Sequence, residues 1–334
     1  MPARLSTPLA LAAAFVLVVG LAGCGSGDRH GRPDVPTVVP QMPLPAQSTT
    51  ATPDGTVIGA PTLGRALVAG HGTIAAVAAD GRSVSVFDAA DPARPPRVVA
   101  TPEVRALTRD GDGFVAVGPD SVVRIAADGT AATARLARPG LAVAVDGDDI
   151  LIGTEHGHLL VLDRALHQTE DVGGFVRVDA VVVAHHDGHR QIVVLDKAQS
   201  LVTTVDPSSG GRGAALRAGN GAGTLIGDHY GRFLVANPRD GQLLGFYGDP
   251  LIMKFRFPVP GGPYGLAYDE RRNLLWVSET AVNRVRAFDL STGEPRERGG
   301  FASVRQPDSI AVDPESGAVF VLSAAGDGLQ RVAR

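Results

Sequence analysis

The stretch from Pro263 to Gly293, PYGLAYDERRNLLWVSETAVNRVRAFDLSTG, limits the folds open to this chain more than any other. It divides into PYGLAYD, NLLWVSE and NRVRAFD, three β-branched or aromatic-rich runs separated by turn formers, which is the pattern of short consecutive strands. A sheet this small cannot bury its own two faces, so copies of the unit must stack beside it. The copies are present. RALVAG (65–70), EVRALT (103–108), GLAVAV (140–145), VRVDAVVVA (176–184), GAGTLIG (221–227) and PDSIAVD (307–313) each open a similar unit. A turn follows, then a second strand such as GFVAVG, DILIGT, RQIVVLD, RFLVAN or AVFVLS. The third strand often ends in aspartate, as in SVSVFD, HLLVLD, LVTTVD and VRAFD. No helical periodicity of useful length interrupts them.

Seven such starts across residues 55–334 give a period of about 40 residues, the size of a four-stranded propeller blade. The expected fold is all-β, a seven-bladed β-propeller over residues 56–334. Six or eight blades also fit the spacing, because the first and fourth units follow the pattern least closely. The last unit stops at Arg334 after its third strand, while Thr56 to Leu63 precede the first unit. Pairing these two ends would supply the missing outer strand and leave no open edge.

The N-terminus supplies an address. Arg4 is the only charge before an apolar run from Leu9 to Leu21, which meets the small residues Ala22 and Gly23 and then Cys24. A charged start, a short apolar core and small residues at the cut predict a secretory signal over residues 1–23. Cys24 is the single cysteine, so no intramolecular disulfide can form. Residues 24–55 alternate Pro33, Pro36, Pro40, Pro43, Pro45 and Pro53 with polar residues, which predicts a disordered, extended and solvated linker. The net charge of −4 becomes −5 once the segment with Arg4 is removed. Mixed signs at that level leave no footprint for nucleic acid.

The Leu21-Ala22-Gly23-Cys24 sequence resembles the lipobox of bacterial lipoproteins. By that resemblance Cys24 is diacylated and becomes the first mature residue, and two acyl chains hold a protein stably on a bilayer. PYGLA, LWVSETAVNRVRAFDLSTG and PDSIAVDPESGAVFVL resemble NHL- and YVTN-type propellers. Together with GDPLI (248–252), LWVSET (275–280) and QPDSIAVD (306–313), they are similar to mycobacterial and actinobacterial LppL-type lipoproteins. The resemblance implies an exported propeller on the outer face of the plasma membrane. It carries over no catalytic residue and no cofactor.

Function is therefore sought in loops. In a propeller the first strands line a channel, and the second-to-third and fourth-to-first loops share one rim. That rim gathers Glu155, His156, Arg177, Asn237, Arg239, Tyr264, Glu279, Asn283, Arg305 and Asp308, with Asn220, Asp240 and Gln306 beside them. Such a set suits a polar ligand or a protein surface. The expected role is binding of a protein partner or a cell-envelope glycan. The alternative is a metal-dependent lactonase- or lyase-like enzyme with Glu155, His156, Glu279 and Asn283 as ligands. Asp110-Gly111-Asp112-Gly113 and Asp146-Gly147-Asp148-Asp149 lack the remaining ligands of a calcium loop and read as hairpin turns. His185-His186-Asp187-Gly188-His189 lacks zinc-ligand spacing. Gly219-Asn220-Gly221-Ala222-Gly223 has no helix after it and reads as a blade junction. No Gly-x-Ser-x-Gly elbow occurs. Trp276 and Phe288 are expected to pack blades.

Overall fold

Four strands, Pro263–Asp269, Leu274–Glu279, Arg284–Asp289 and Arg296–Ala302, pair antiparallel in sequence order to make one blade. Its second strand shows why the sequence there is apolar without interruption. Side chains alternate between faces along a strand. Leu275 and Val277 meet Leu234, Leu243 and Phe255 of the preceding blade, while Trp276 meets Ile310, Val319 and Val321 of the following one. Both faces are buried, so both parities must be hydrophobic. Trp276 is 4% exposed and Phe288 fully buried, as packing residues should be.

The computed structural model describes residue 1 and residues 35–59, 63–186 and 188–334, and among these every regular element is a strand. Seven four-stranded sheets form a β-propeller. Blades 1 to 6 begin at the strands Leu63–Gly70, Ala106–Asp110, Gly140–Asp146, Ala180–His186, Thr224–Gly227 and Pro263–Asp269. Blade 7 holds Pro307–Val312, Val319–Ser323 and Leu329–Val332, and its outer strand is Thr56–Ile58 from the other end of the chain. The ring is thus closed by pairing of Thr56 with Arg331 and of Ile58 with Leu329.

Among the described residues the core is seven separate clusters, each bridging two neighbouring blades. The cluster between blades 7 and 1, with Phe320, Leu322 and Leu329 against Ile74 and Phe87, covers the closure itself. Each fully buried side chain of this size contributes on the order of 2–3 kcal/mol. The recurring aspartates acquire a reason as well. Asp88, Asp206 and Asp289 end third strands and Asp163 directly follows one, and each accepts a hydrogen bond from the backbone N–H two residues on, at Ala90, Ser208, Ser291 and Ala165 respectively. Each closes its own turn to the outer strand.

The strands and the segment from residue 35 onward belong to one compact unit, Arg32–Arg334. The other unit, Met1–Gly31, lies outside the described residues except for Met1, and with it lie the signal sequence and Cys24. The segment before the closing strand departs from the expectation of a disordered linker. Residues 35–53 form no helix or strand, yet the part from Val38 to Asp54 is hydrogen-bonded to the propeller. The composition is right for an extended chain, but rim side chains satisfy its backbone where water was expected to.

Candidate functional site

The first strands of the blades surround a central channel of about 360 Å³. Each blade contributes one triplet to its mouth, and the triplets fall into three rings. The outermost ring is Arg65, Arg105, Leu141, Asp179, Gly223, Tyr264 and Asp308. The innermost is Leu67, Leu107, Val143, Val181, Leu225, Leu266 and Ile310, wholly apolar. Between them stand Ala66, Ala106, Ala142, Ala180, Thr224, Gly265 and Ser309, all small. Alternation along a strand turns this middle position toward the neighbouring blade, where the strands converge. Gly265 shows the constraint: a Cβ there would lie 2.8 Å from Ser278 Oγ and 3.1 Å from the Ile310 side chain. The result is a funnel with a charged lip and a floor of side chains that also belong to the interblade core clusters.

Charges at the lip are loosely paired. Arg65 Nε lies 3.4 Å from Asp308 Oδ2. Arg105 stands 3.8 Å from Glu103 and 3.9 Å from Glu155. Glu155 also lies 3.5 Å from Arg177, whose second partner is Asp179 at 3.0 Å. Lys197 sits 5.6 Å above the Tyr264 ring. Burial pushes the Asp308 carboxyl above the usual carboxylate range, while the Gln306 amide and the Arg65 guanidinium pull it back. Arg65, Arg105 and Lys197 were not among the residues expected from sequence. The signal was available in the repeat alignment, because Arg65 and Arg105 hold the place that Tyr264 and Asp308 hold in later units.

All ten expected rim residues lie in second-to-third or fourth-to-first connections, or at the adjoining strand ends. They do not form one cluster. Glu155, exposed His156 and Arg177 belong to the arc around blades 3 and 4. Asn237 is fully buried and committed to its own turn, donating to Ala218 O and Asp240 Oδ2 and accepting from Asp240 N. Asp240 in turn accepts from Asn220 N. Glu279 is 3% exposed, 2.7 Å from Arg286 Nε, and accepts from Gly261 N. Asn237 and Glu279 are therefore engaged by their own turns, whose backbone groups would otherwise be buried unsatisfied. Arg305 is held in a two-pronged pair with Asp327 at 2.6 Å. The suspected cation ligands are likewise separated, with Glu155 and His156 on blade 3 and Glu279 and Asn283 on blade 6. Among the described residues no three His, Cys, Asp or Glu side chains gather as a metal site would require.

Two of the remaining rim candidates, Arg239 and Asn283, converge with Gln306 on the chain's own N-terminal segment. Arg239 Nε donates to Gln41 Oε1 at 2.8 Å, and its Nη2 to Val39 O at 3.4 Å. Asn283 Nδ2 donates to Gln47 O at 3.0 Å. Gln306 Nε2 donates to Leu44 O at 3.0 Å while its Oε1 accepts from Ala46 N at 2.8 Å. Leu44 packs on Gly262, where a Cβ would lie 3.0 Å from the leucine side chain. Gly262 and Gln306 occupy the same place in consecutive blades, each before the proline that opens a first strand, and both have positive φ, 74° and 52°. Glycine adopts that conformation freely, whereas glutamine is strained there by about 1 kcal/mol or more. Blade 7 carries the strain and gains an amide that reads a backbone.

A second cavity, of about 630 Å³, opens on the opposite rim between blades 5 and 6. Tyr230, Arg232, Tyr247 and Lys254 line it with the Ser291–Glu294 turn. No sequence signal pointed to it, since its aromatic residues come from separate turns.

No protein-family model and no curated protein sequence matches this chain. Solved structures do. Hydrazine synthase of Kuenenia stuttgartiensis superposes with a TM-score of 0.69 at 14% identity, covering 86% of this chain and 98% of that one. The virginiamycin B lyase of Staphylococcus aureus gives 0.65 at 10% identity, over 83% and 97%. The propeller domain of Cps50 (Swd1) from Myceliophteria thermophila gives 0.67 at 11% identity, over 84% and 98%. Likeness at these identities shows the fold alone. The chain is a β-propeller that shares its architecture with a synthase and a lyase and with the propeller domain of Cps50.

Proposed function

We propose that this protein is an exported lipoprotein of the LppL type, held on the outer face of the plasma membrane by two acyl chains on Cys24, and that its propeller binds a protein partner or cell-envelope ligand at the channel rim. The observation that supports the binding role most is the funnel. Arg65, Arg105, Tyr264 and Asp308 stand in its lip above a floor of seven apolar side chains packed between the blades. Such a mouth can orient a polar group through its charged and aromatic lip. The ring of blades holds these groups in place before binding, so little ordering entropy is lost. The tether from Cys24 to Val38 reaches at most roughly 50 Å at full extension.

Two measurements test the reading. Metabolic labelling with a fatty acid marks the wild-type chain and not Cys24→Ala; label on the variant removes the anchor. For the rim, a photo-crosslinker placed at position 156 captures one defined partner from membranes, and Arg105→Glu or Arg177→Glu abolishes that capture. Capture unchanged by both charge reversals overturns the rim as the binding face.

A further inference from the structure

The segment that crosses the rim has the geometry of a bound peptide. From Val38 to Gln47 it lies along the loops of blades 4 to 7 without regular secondary structure. Exposure along it repeats every third residue. Val39, Met42 and Pro45 face solvent, while Val38, Pro40, Gln41, Pro43, Leu44 and Ala46 are partly buried. Three residues per turn is the period of polyproline II, whose backbone makes no internal hydrogen bonds and is free for a receptor to read.

The rim reads that backbone. Val38 N donates to Ala198 O at 2.7 Å and Gln47 N to Ala281 O at 3.0 Å. Gln306 grips Leu44 O and Ala46 N together, as a neighbouring strand would. Asp308 accepts the other proton of that amide at 2.8 Å, and Asn283 Oδ1 accepts from Gln306 N at 2.9 Å while its Nδ2 binds Gln47 O. Of the side chains between Val38 and Gln47, only Gln41 is bonded to the rim, through Arg239. Residues 35–53 carry no charge. Recognition therefore rests on shape and backbone, in the manner of grooves that take proline-rich segments.

We infer that the arc of blades 4 to 7 is a receptor groove for an extended, uncharged, proline-containing peptide segment. Val38–Gln47 is its resident occupant, and a partner with such a segment takes the groove by displacing it. This rests on the reading of the rim as the binding face and names the chemistry of the partner. The open arc with Arg65, Arg105 and Arg177 is the surface the occupant leaves uncovered.

The probe is a fluorescent peptide of residues 37–47, TVVPQMPLPAQ, titrated onto the full chain in detergent. A chain with residues 38–47 replaced by glycine and serine at equal length is expected to bind it saturably, at least tenfold tighter than wild type. Adding Gln306→Leu to that chain weakens binding at least tenfold, and raising salt from 50 to 500 mM changes it less than twofold. No saturable binding, or binding indifferent to Gln306→Leu, overturns the proposal. If the replaced chain does not fold, Leu44→Asp in the otherwise intact chain serves. It should loosen the strap, seen as faster hydrogen exchange at the Ala46 and Gln47 amides, and admit the peptide; exchange at the wild-type rate refutes the groove. Should the peptide fail while Arg105→Glu still abolishes crosslinking at position 156, the peptide class falls and the rim stands. Failure of both removes the rim as well.

Discussion

The ring closure makes a sharp prediction. The closing strand Thr56–Ile58 has only three residues, two of them exposed and the third partly so, and therefore buries little. Its partner strand carries Gln330, fully buried and paired across to Val57. The Gln330 amide donates to Asp54 O at 2.7 Å and to Ala302 O at 2.9 Å, and accepts from Val304 N at 3.0 Å. One side chain thus ties the incoming segment, the last strand of blade 6 and the junction into blade 7. Gln330→Leu keeps the volume and removes all three bonds. The Val304 N–H, on a fully buried residue, then has no partner, which costs about 1–3 kcal/mol. Ala302 O still accepts from Asp54 N, so that carbonyl loses less. The sum is about 2–4 kcal/mol, a fall in melting temperature of roughly 3–7 °C for a domain of this size. Urea unfolding gives the free energy, and hydrogen exchange gives the location: protection should fall first at Asp54 and the closing strand, ahead of blades 2 to 4. A change under about 0.5 kcal/mol, within the range of neutral surface substitutions, would refute the reasoning. It would mean that the apolar cluster between blades 7 and 1 closes the ring unaided.

Two further outcomes follow from the rim and the turns. Glu279→Ala leaves Arg286, a side chain only 15% exposed, with Glu297 at 3.1 Å as its remaining carboxylate and takes the acceptor from Gly261 N, and should cost about 1–3 kcal/mol in urea unfolding; Glu155→Ala, in a looser and more exposed pair, should stay within about 0.5 kcal/mol. The turn aspartates are expected to contribute to acid stability. Hydrogen bonds hold their carboxyls below the usual range: from the Ala90 backbone for Asp88, the His167 backbone for Asp163, Ser208 for Asp206, and Ser291 and then Arg298 for Asp289. A depressed folded-state value means the unfolded chain binds more protons, so this stability is present above about pH 4 and is lost as pH falls through the folded values. Replacing all four with asparagine should flatten the fall in stability below about pH 4; an unchanged slope would assign acid sensitivity elsewhere.

What could be read from sequence and what could not divides along the range of the interactions. Strands, turns and the 40-residue period are local, and both parities of LLWVSE are apolar because two blades press on them. The closure was legible because an unfinished last unit and an unassigned first strand imply one another. The fate of the candidate rim was not. Glu279 and Asn237 look like ligands in sequence because their types are polar and their loops are exposed by topology, yet each turns inward to satisfy its own turn. The strap was the larger omission. Its prolines and small polar residues forbid a core, and the same absence of internal bonding leaves a backbone for others to bind. The groups that bind it lie far along the chain, with Arg239 198 positions from Gln41 and Gln306 262 from Leu44, so no window contains both sides. One local sign did exist. Where blade 6 meets its opening proline with Gly262, blade 7 uses Gln306 in the same left-handed conformation. A glutamine that stands where glycine costs nothing can offset its strain through its side chain, and among the described residues the groups that side chain bonds beyond its own loop are Leu44 O and Ala46 N. Read this way, a substitution within the repeat identifies the rim position that acquired a partner. The partner it acquired is the chain's own N-terminal segment.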